Sequence, residues 1–159
     1  MKATTTAALA AMALCGAIPA AARASATDAS NGILAVERAP ATEKAVEAAL
    51  SRVGSSYAMG GAGPDAFDCS GLTMWALQRA GIGAPHSSFA EYALGTRVAR
   101  SDVRRGDLVF FDSFGAGASH VGVATSPTTA VSATNHGVMR HPIFDAYWGG
   151  HFIGARRLG

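Results

Sequence analysis

Residues 108–133 of the sequence read LVFFDSFGAGASHVGVATSPTTAVSA. This stretch contains three short runs of apolar and β-branched residues, LVFF (108–111), HVGVA (120–124) and TAVSA (129–133), separated by segments rich in turn-forming residues. Two similar runs follow, GVMRH (137–141) and HFIGARR (151–157). Because parallel neighbours need long crossover connections, connections this short favour antiparallel pairing. The second half of the chain therefore predicts an antiparallel sheet of about five to six strands.

The preceding part of the sequence has a helical pattern. From Thr42, apolar residues recur at intervals of four until Gly54, where a helix would end. A second helix is predicted from about Cys69 to Ala80. Ser88 and Glu91 have the spacing of a capping box and predict a third, short helix that begins there. Helices followed by an antiparallel sheet indicate the α+β class, with N-terminal helices packed on the sheet.

The composition narrows the classes of protein that this chain can represent. Its 159 residues suit one domain, and with 49% apolar and 15% charged residues it is expected to fold around a core. Two cysteines are too few for a disulfide-rich scaffold or a four-cysteine zinc site. No two of the five histidines have the spacing of a helical metal-binding pair, so no metal site is predicted.

The first residues resemble a secretory leader. Lys2 is the only charged residue before Arg23, and the Ala-rich apolar run between them is strongest over residues 7–18. It is followed by the small-residue tract AAARASA (20–26), which is typical of a cleavage zone. We therefore predict a signal peptide over residues 1–26 and a periplasmic or secreted protein.

Two alternatives exist for this leader. An uncleaved anchor helix is disfavoured by the threonines, glycine and proline within it. Lipidation at Cys15 is disfavoured because Leu14 occupies a position that is normally small. Residues 27–40 show no clear periodicity and are predicted to be a linker, which leaves residues 41–159 as the folded domain.

Removing the leader changes the charge balance. Lys2 and Arg23 leave with it, so 11 basic residues remain against 11 acidic ones. A near-neutral domain gives no electrostatic support for a nucleic-acid partner or an anionic membrane surface. We expect no stable membrane anchor on the mature chain.

Cys69 is the candidate nucleophile. Once Cys15 is removed, Cys69 is a lone thiol in an exported protein, which marks it as a candidate reactive cysteine. It follows a glycine-rich loop and lies in the first turn of a predicted helix, where the helix dipole is expected to lower the thiol pKa. The alternative for any lone cysteine is that of a small buried apolar residue.

His120 is the candidate base. Strand alternation places Val121 and Val123 on one face and His120 on the other, where Gly122 and Ala124 leave room for a partner. Of the other four histidines, His86 follows a proline and His141 precedes one. His136 lies in a predicted turn, and His151 begins the last predicted strand. The prolines beside His86 and His141 suggest surface positions for both.

Four blocks of sequence resemble the NlpC family of cell-wall cysteine endopeptidases. They are DCSGL (68–72), GDLVFF (106–111), HVGVA (120–124) and ARRL (155–158), with Tyr57 and Gly60-Gly61 ahead of them. The blocks have the order and spacing of the family over about residues 41–158. The resemblance implies a papain-like α+β fold. It also implies hydrolysis of peptide bonds in the stem or cross-bridge peptides of peptidoglycan, without a metal or organic cofactor.

The resemblance also implies roles for individual residues. Cys69 takes the place of the nucleophile and His120 that of the base. Ser132 aligns with the third catalytic position, where relatives usually carry a second histidine. A serine oxygen can accept the hydrogen bond from the base, but it brings no charge and should shift the histidine pKa less than a carboxylate would. Asn135 or His136 could replace it if their loop folds back.

The resemblance further assigns substrate contacts to Tyr57, Asp68 and Ser70. Two other functions remain open at this point. A domain with a weakened triad could bind wall peptides without cutting them, and the same Cys–His pair could serve an amidase or a transpeptidase. The mature chain is expected to act as a monomer, and the bond that it cuts is left open.

Overall fold

The computed structural model of the chain describes residues 41–159. The predicted signal peptide (1–26) and linker (27–40) lie outside the described residues, so both stay predictions. Within the described part, no helix combines the length and apolar character that crossing a bilayer requires.

Three of the four helices found within residues 41–159 precede the larger sheet, as the sequence predicted. The helices are α1 (Ala41–Leu50), α2 (Cys69–Arg79), α3 (Ser88–Glu91) and α4 (Trp148–His151), with a 3₁₀ turn at Arg100–Asp102. The first two lie within a few residues of their predicted bounds. The 3₁₀ turn and α4 were not predicted, because three or four residues are too few to show a helical period.

The strands form a small parallel pair and one larger sheet. They are β1 (Ser56–Tyr57), β2 (Ala66–Phe67), β3 (Thr96–Val98), β4 (Leu108–Phe111), β5 (His120–Ala124), β6 (Thr129–Thr134), β7 (Gly137–Pro142) and β8 (Phe152–Arg157). The larger sheet has six strands in the order β3-β8-β4-β5-β6-β7, and all its pairs are antiparallel. The structure thus confirms the predicted α+β fold with an antiparallel sheet.

The predicted capping box at α3 is wrong. The N-cap is Ser87, whose side chain accepts a hydrogen bond from the backbone N–H of Ala90. Glu91 points into the protein and lies against Thr73 of α2, fully buried. Packing of α3 against α2 therefore overrides the local spacing signal.

The sheet is apolar on both faces at its centre. Leu108 and Phe110 of β4 join the core that contains α1 and α2, whereas Val109 and Phe111 belong to a second apolar cluster. Side chains that alternate in this way point to opposite faces of a sheet. On β5, Val121 and Val123 pack into the helical core, as the sequence predicted.

Candidate active site

The site is built around the N-terminus of α2, which Asp68 caps. One carboxylate oxygen of Asp68 accepts a hydrogen bond from the Gly71 N–H at 2.7 Å, and the other accepts from the Gly60 N–H at 2.8 Å. The first oxygen also lies 2.8 Å from Nε2 of His86 and 3.3 Å from the Ser70 hydroxyl. Asp68 thereby connects the glycine-rich loop, the first turn of α2 and the loop before α3.

Cys69 is the first residue of α2 and is partly exposed. Burial raises the pKa of its thiol to about 11, while backbone N–H groups of Val121 and Ser70 act in the opposite direction. The expectation of a lowered thiol pKa is therefore wrong for the protein without substrate, because loss of hydration outweighs the favourable helix terminus. At neutral pH the thiol keeps its proton.

A cavity of about 360 Å³ lies over the thiol. Its lining includes Cys69 together with the three residues for which substrate contacts were predicted, Tyr57, Asp68 and Ser70. Burial raises the pKa of Tyr57, so its hydroxyl stays neutral and can donate as well as accept. The structure thus places all three predicted contact residues beside the candidate nucleophile.

Apolar side chains form other parts of the cavity wall. Met59 is 85% exposed and Phe114 is 54% exposed, and both line the cavity. The Phe114 ring lies 5.0 Å from the His120 ring between centroids. A ligand in the cavity would therefore contact both polar and apolar groups, as peptides can.

His120, the first residue of β5, is fully buried. Its Nε2 lies 3.0 Å from the Ser132 hydroxyl oxygen. Its Nδ1 has no hydrogen-bond partner among the residues that the structure describes. The ring is therefore held through one nitrogen and has the other available.

The third position is occupied by Ser132, on the strand next to His120. Asn135 and His136, the two alternatives, lie in the turn between β6 and β7, where the His136 N–H bonds the Thr134 hydroxyl. They line a different cavity, which also contains Trp148. Of these three candidates, Ser132 is the one that contacts the His120 ring.

His141 also belongs to this cluster, although the sequence suggested a surface position for it. It is 4% exposed, and its Nε2 lies 2.8 Å from the Ser132 hydroxyl. Its Nδ1 lies 2.8 Å from the carbonyl oxygen of Pro142. The surface assignment is wrong because His141 lies within β7 and Trp148 covers its ring.

Strand register could have revealed His141. In the β6–β7 hairpin, Ala130 pairs with His141 and Ser132 with Met139. Directly paired residues and those two positions away share a face, so Ser132 and His141 are diagonal neighbours. To predict from the sequence that His141 lies beside Ser132, one would need to place the turn at residues 135–136 exactly, because the turn sets this register.

Burial governs the charge of both imidazoles. It lowers the pKa of His120 to about 3, and proximity to His141 contributes in the same direction. Burial also lowers the pKa of His141. The Trp148 ring stacks on both, with centroid distances of 3.9 Å to His141 and 5.4 Å to His120. Both imidazoles are therefore neutral at neutral pH.

The thiol and the imidazole lie at the same junction between α2 and β5. The backbone of Val121, the residue that follows His120, is one of the groups that lower the pKa of the Cys69 thiol, and α2 packs against β5. Within residues 41–159, no three His, Cys, Asp or Glu side chains are grouped closely enough to hold a metal ion. The chemistry that these groups can perform is proton transfer and nucleophilic attack by sulfur.

Solved structures with the same fold include two bacterial proteins. One is an NLP/P60 family protein from Staphylococcus aureus that is described as similar to lipoprotein. It matches with a TM-score of 0.68 and 31% identity, and the match covers 76% of this chain and 42% of that one. A hypothetical invasion protein of Mycobacterium tuberculosis matches with a TM-score of 0.63 and 28% identity, covering 74% of this chain and 61% of that one. The fold is thus that of the NlpC/P60 structures.

Curated relatives point the same way. The "Probable endopeptidase p60" of Listeria monocytogenes is 41% identical over 110 residues, which are 69% of this chain and 22% of the relative. The "Probable endopeptidase Cgl2188" of Corynebacterium glutamicum is 45% identical over 104 residues, 64% of this chain and 48% of the relative. The chain thus spans less than half the length of either relative.

The sequence profile of the NlpC/P60 family matches residues 54–157. That range contains the capped α2 terminus, the cavity over Cys69 and the His120–Ser132 pair. Profile, fold and relatives agree with the resemblance found in the sequence blocks. This chain belongs to the NlpC/P60 family, whose curated relatives are named as endopeptidases.

Proposed function

We propose that the chain is an exported cysteine endopeptidase that hydrolyses peptide bonds in the stem or cross-bridge peptides of peptidoglycan. The observation that carries the proposal is the junction of α2 and β5. There the Cys69 thiol lines an open cavity, and His120 has one nitrogen held by Ser132 and the other without a hydrogen-bond partner in residues 41–159. The endopeptidase names of the relatives support the reaction class.

The first step is attack by sulfur on the peptide carbonyl carbon. Since burial disfavours either charge alone, the thiol proton moves to Nδ1 of His120 as the carbon–sulfur bond forms. The resulting imidazolium lies beside the developing negative charge and compensates it. Asp68 already occupies the Gly71 N–H, so the N–H groups of Cys69 and Ser70 are the first-turn donors nearest the oxyanion.

The second step is breakdown of the tetrahedral intermediate. The His120 imidazolium donates its proton to the leaving amine, which leaves a thioester on Cys69. Water then attacks the thioester while His120 accepts its proton. The carbon–sulfur bond breaks, the carboxylic acid product departs, and the His120 imidazolium returns the proton to the sulfur, which restores the thiol. Ser132 keeps the ring oriented through both steps.

Export and substrate binding complete the proposal. Residues 1–26 support secretion or a periplasmic location through their leader-like pattern. Tyr57, Asp68 and Ser70 would bind the polar atoms of the peptide, since all three line the cavity beside Cys69. The domain is proposed to work as a monomer.

The test is digestion of purified peptidoglycan, with mass spectrometry of the released fragments. Cys69→Ala is expected to abolish release, whereas the control variant Gly83→Ala, whose added Cβ meets no described atom within 4 Å, should digest like the wild type. Fragment masses identify the bond that is cut and separate an endopeptidase from an amidase or transpeptidase. Undiminished digestion by Cys69→Ala would contradict the proposal that Cys69 is the nucleophile.

A second candidate is a binding module that no longer cuts. The raised pKa of Cys69 and the uncharged Ser132 favour it, because both make the nucleophile less easily ionised. Co-sedimentation with peptidoglycan separates the two functions. A wild-type protein that sediments with the wall and releases no fragment would be a binding module.

A further inference from the structure

We propose that His141 is a positioning residue of this site, which acts through Ser132 to keep the Nδ1 atom of His120 free of its proton. The inference rests on the proposed function, because it concerns the base of that reaction. His141 is 4% exposed and lies behind Ser132, so it acts on His120 and not on substrate.

The hydrogen-bond chain has a defined start. A carbonyl oxygen can only accept, so the contact of 2.8 Å between the Pro142 oxygen and Nδ1 of His141 requires a proton on that nitrogen. Burial disfavours a second proton on the ring. Nε2 of His141 therefore presents a lone pair towards the Ser132 hydroxyl.

The donor at Ser132 follows from the protonation of His141. The Ser132 hydroxyl has one hydrogen, which it donates to Nε2 of His141 across 2.8 Å. The oxygen is left with lone pairs only, and it accepts the Nε2–H of His120 across 3.0 Å. A neutral imidazole has one ring proton, so Nδ1 of His120 is bare and can accept the thiol proton.

This series of hydrogen bonds explains how a serine can occupy the third catalytic position. A lone hydroxyl could equally donate to Nε2 of His120, and that would place the imidazole proton on Nδ1, where it blocks the base. Tautomer errors of this kind are costly in catalysis. His141 removes the ambiguity by taking the hydroxyl hydrogen.

The surroundings hold both rings neutral and in place. Trp148 stacks on His141 at 26° and on His120 at 28°, and Phe111 packs edge-on to His141. Asp145 favours protonation of His141, and His141 in turn disfavours protonation of His120. Burial is the largest influence on either ring.

The first experiment determines the tautomers by ¹⁵N NMR of the full chain with labelled histidines, assigned with His120→Gln and His141→Gln. We expect the proton of His141 on Nδ1 and that of His120 on Nε2. A proton on Nε2 of His141 or on Nδ1 of His120 would overturn the inference. No substrate is involved, so this result stands even if peptidoglycan proves to be the wrong substrate.

The second experiment compares substitutions in two backgrounds. His141→Phe removes the acceptor and should reduce kcat by roughly 10- to 100-fold with little change in KM. His141→Gln offers a carbonyl oxygen to Ser132 and should recover most of the rate. In a Ser132→Ala background, His141→Phe should have little further effect, because the intermediate hydroxyl is gone.

The controls keep the two proposals distinguishable. Equal losses from His141→Phe in both backgrounds, or no rescue by His141→Gln, would mean that His141 does not act through Ser132. The alkylation rate of Cys69, followed by peptide mass spectrometry, provides the same comparison without substrate. Absence of digestion by the wild type would contradict the proposed function alone, and failure of His141→Phe to fold would leave the tautomer measurement decisive.

Discussion

At the scale of single residues, burial and not the helix terminus sets the resting state of the site. The N-terminal end of α2 favours a thiolate, and two backbone N–H groups support it. Desolvation of the mostly buried thiol is nevertheless the larger effect, and it raises the thiol pKa to about 11. Because His120 is neutral as well, the resting Cys69–His120 pair is uncharged. The thiol proton is expected to move to His120 only as the sulfur bonds to the substrate carbonyl carbon.

This resting state predicts how Cys69 reacts with iodoacetamide at different pH values. Because its raised pKa leaves little thiolate at pH 7, the rate should rise about tenfold per pH unit up to pH 10. Glutathione, measured in parallel, should level off after its ordinary thiol pKa of about 8.5. A Cys69 rate that is already constant below pH 8 would mean that a thiolate–imidazolium pair exists without substrate.

At the scale of elements, the glycine-rich loop and α2 fit together through a backbone contact. A Cβ atom added at Gly71 would overlap the Gly61 carbonyl oxygen and lie 3.0 Å from Nε2 of His86. The Gly61 oxygen also accepts the Asp68 N–H at 2.8 Å, so it cannot move away freely. The close approach of loop and helix is what places Cys69 at the cavity.

Gly71→Ala should therefore both destabilise the protein and reduce its activity. Overpacking of this kind costs about 1–3 kcal/mol in the free energy of unfolding, measured by urea denaturation. Gly83→Ala is the matched control, because no atom lies within 4 Å of its added Cβ, and it should change stability by less than about 0.5 kcal/mol. Equal stability of the two variants would show that the loop adapts.

The elements also show how far sequence patterns reach. The five strands of four or more residues were predicted to within one or two residues, because alternation needs about that length to be visible. Strands β1, β2 and β3 have two or three residues and gave no such signal. Cys69, His120 and Ser132 could be proposed as candidate site residues from sequence blocks, whereas the position of His141 required the hairpin register and that of Glu91 required the packing of α3 on α2.

At the scale of the whole molecule, α3 and the residue after it, Tyr92, connect the helical layer to β8 of the larger sheet. The Tyr92 hydroxyl donates to the Ile153 carbonyl of β8 at 3.2 Å, and Arg156 donates to the Tyr92 carbonyl at 2.6 Å. On the other side, the fully buried Glu91 lies 2.7 Å from the Thr73 hydroxyl of α2. The segment with His86 and Ser87, which lines the cavity, precedes this connection.

Glu91 makes this connection sensitive to pH. Burial raises its pKa from the ordinary 4.5 to about 8, against the effect of the Thr73 hydrogen bond. The Thr73 hydroxyl lies 2.9 Å from the Ser70 carbonyl, to which it can donate while it accepts from the neutral Glu91 carboxyl. A raised pKa in the folded state means that stability is fully present below about pH 4.5 and is lost as the pH rises through about 8.

Glu91→Gln should remove that loss, since its amide can donate to Thr73 and does not ionise. Each tenfold difference in proton affinity is worth about 1.4 kcal/mol, so the variant should gain a few kcal/mol over the wild type between pH 5 and pH 9. Urea unfolding at several pH values gives this difference directly, and other carboxylates cancel in it. Gly83→Ala provides the control, because it changes no ionisable group and its added Cβ meets no described atom within 4 Å, so its difference from the wild type should not vary with pH. A flat difference for Glu91→Gln as well would mean that Glu91 is already ionised in the folded protein at pH 5.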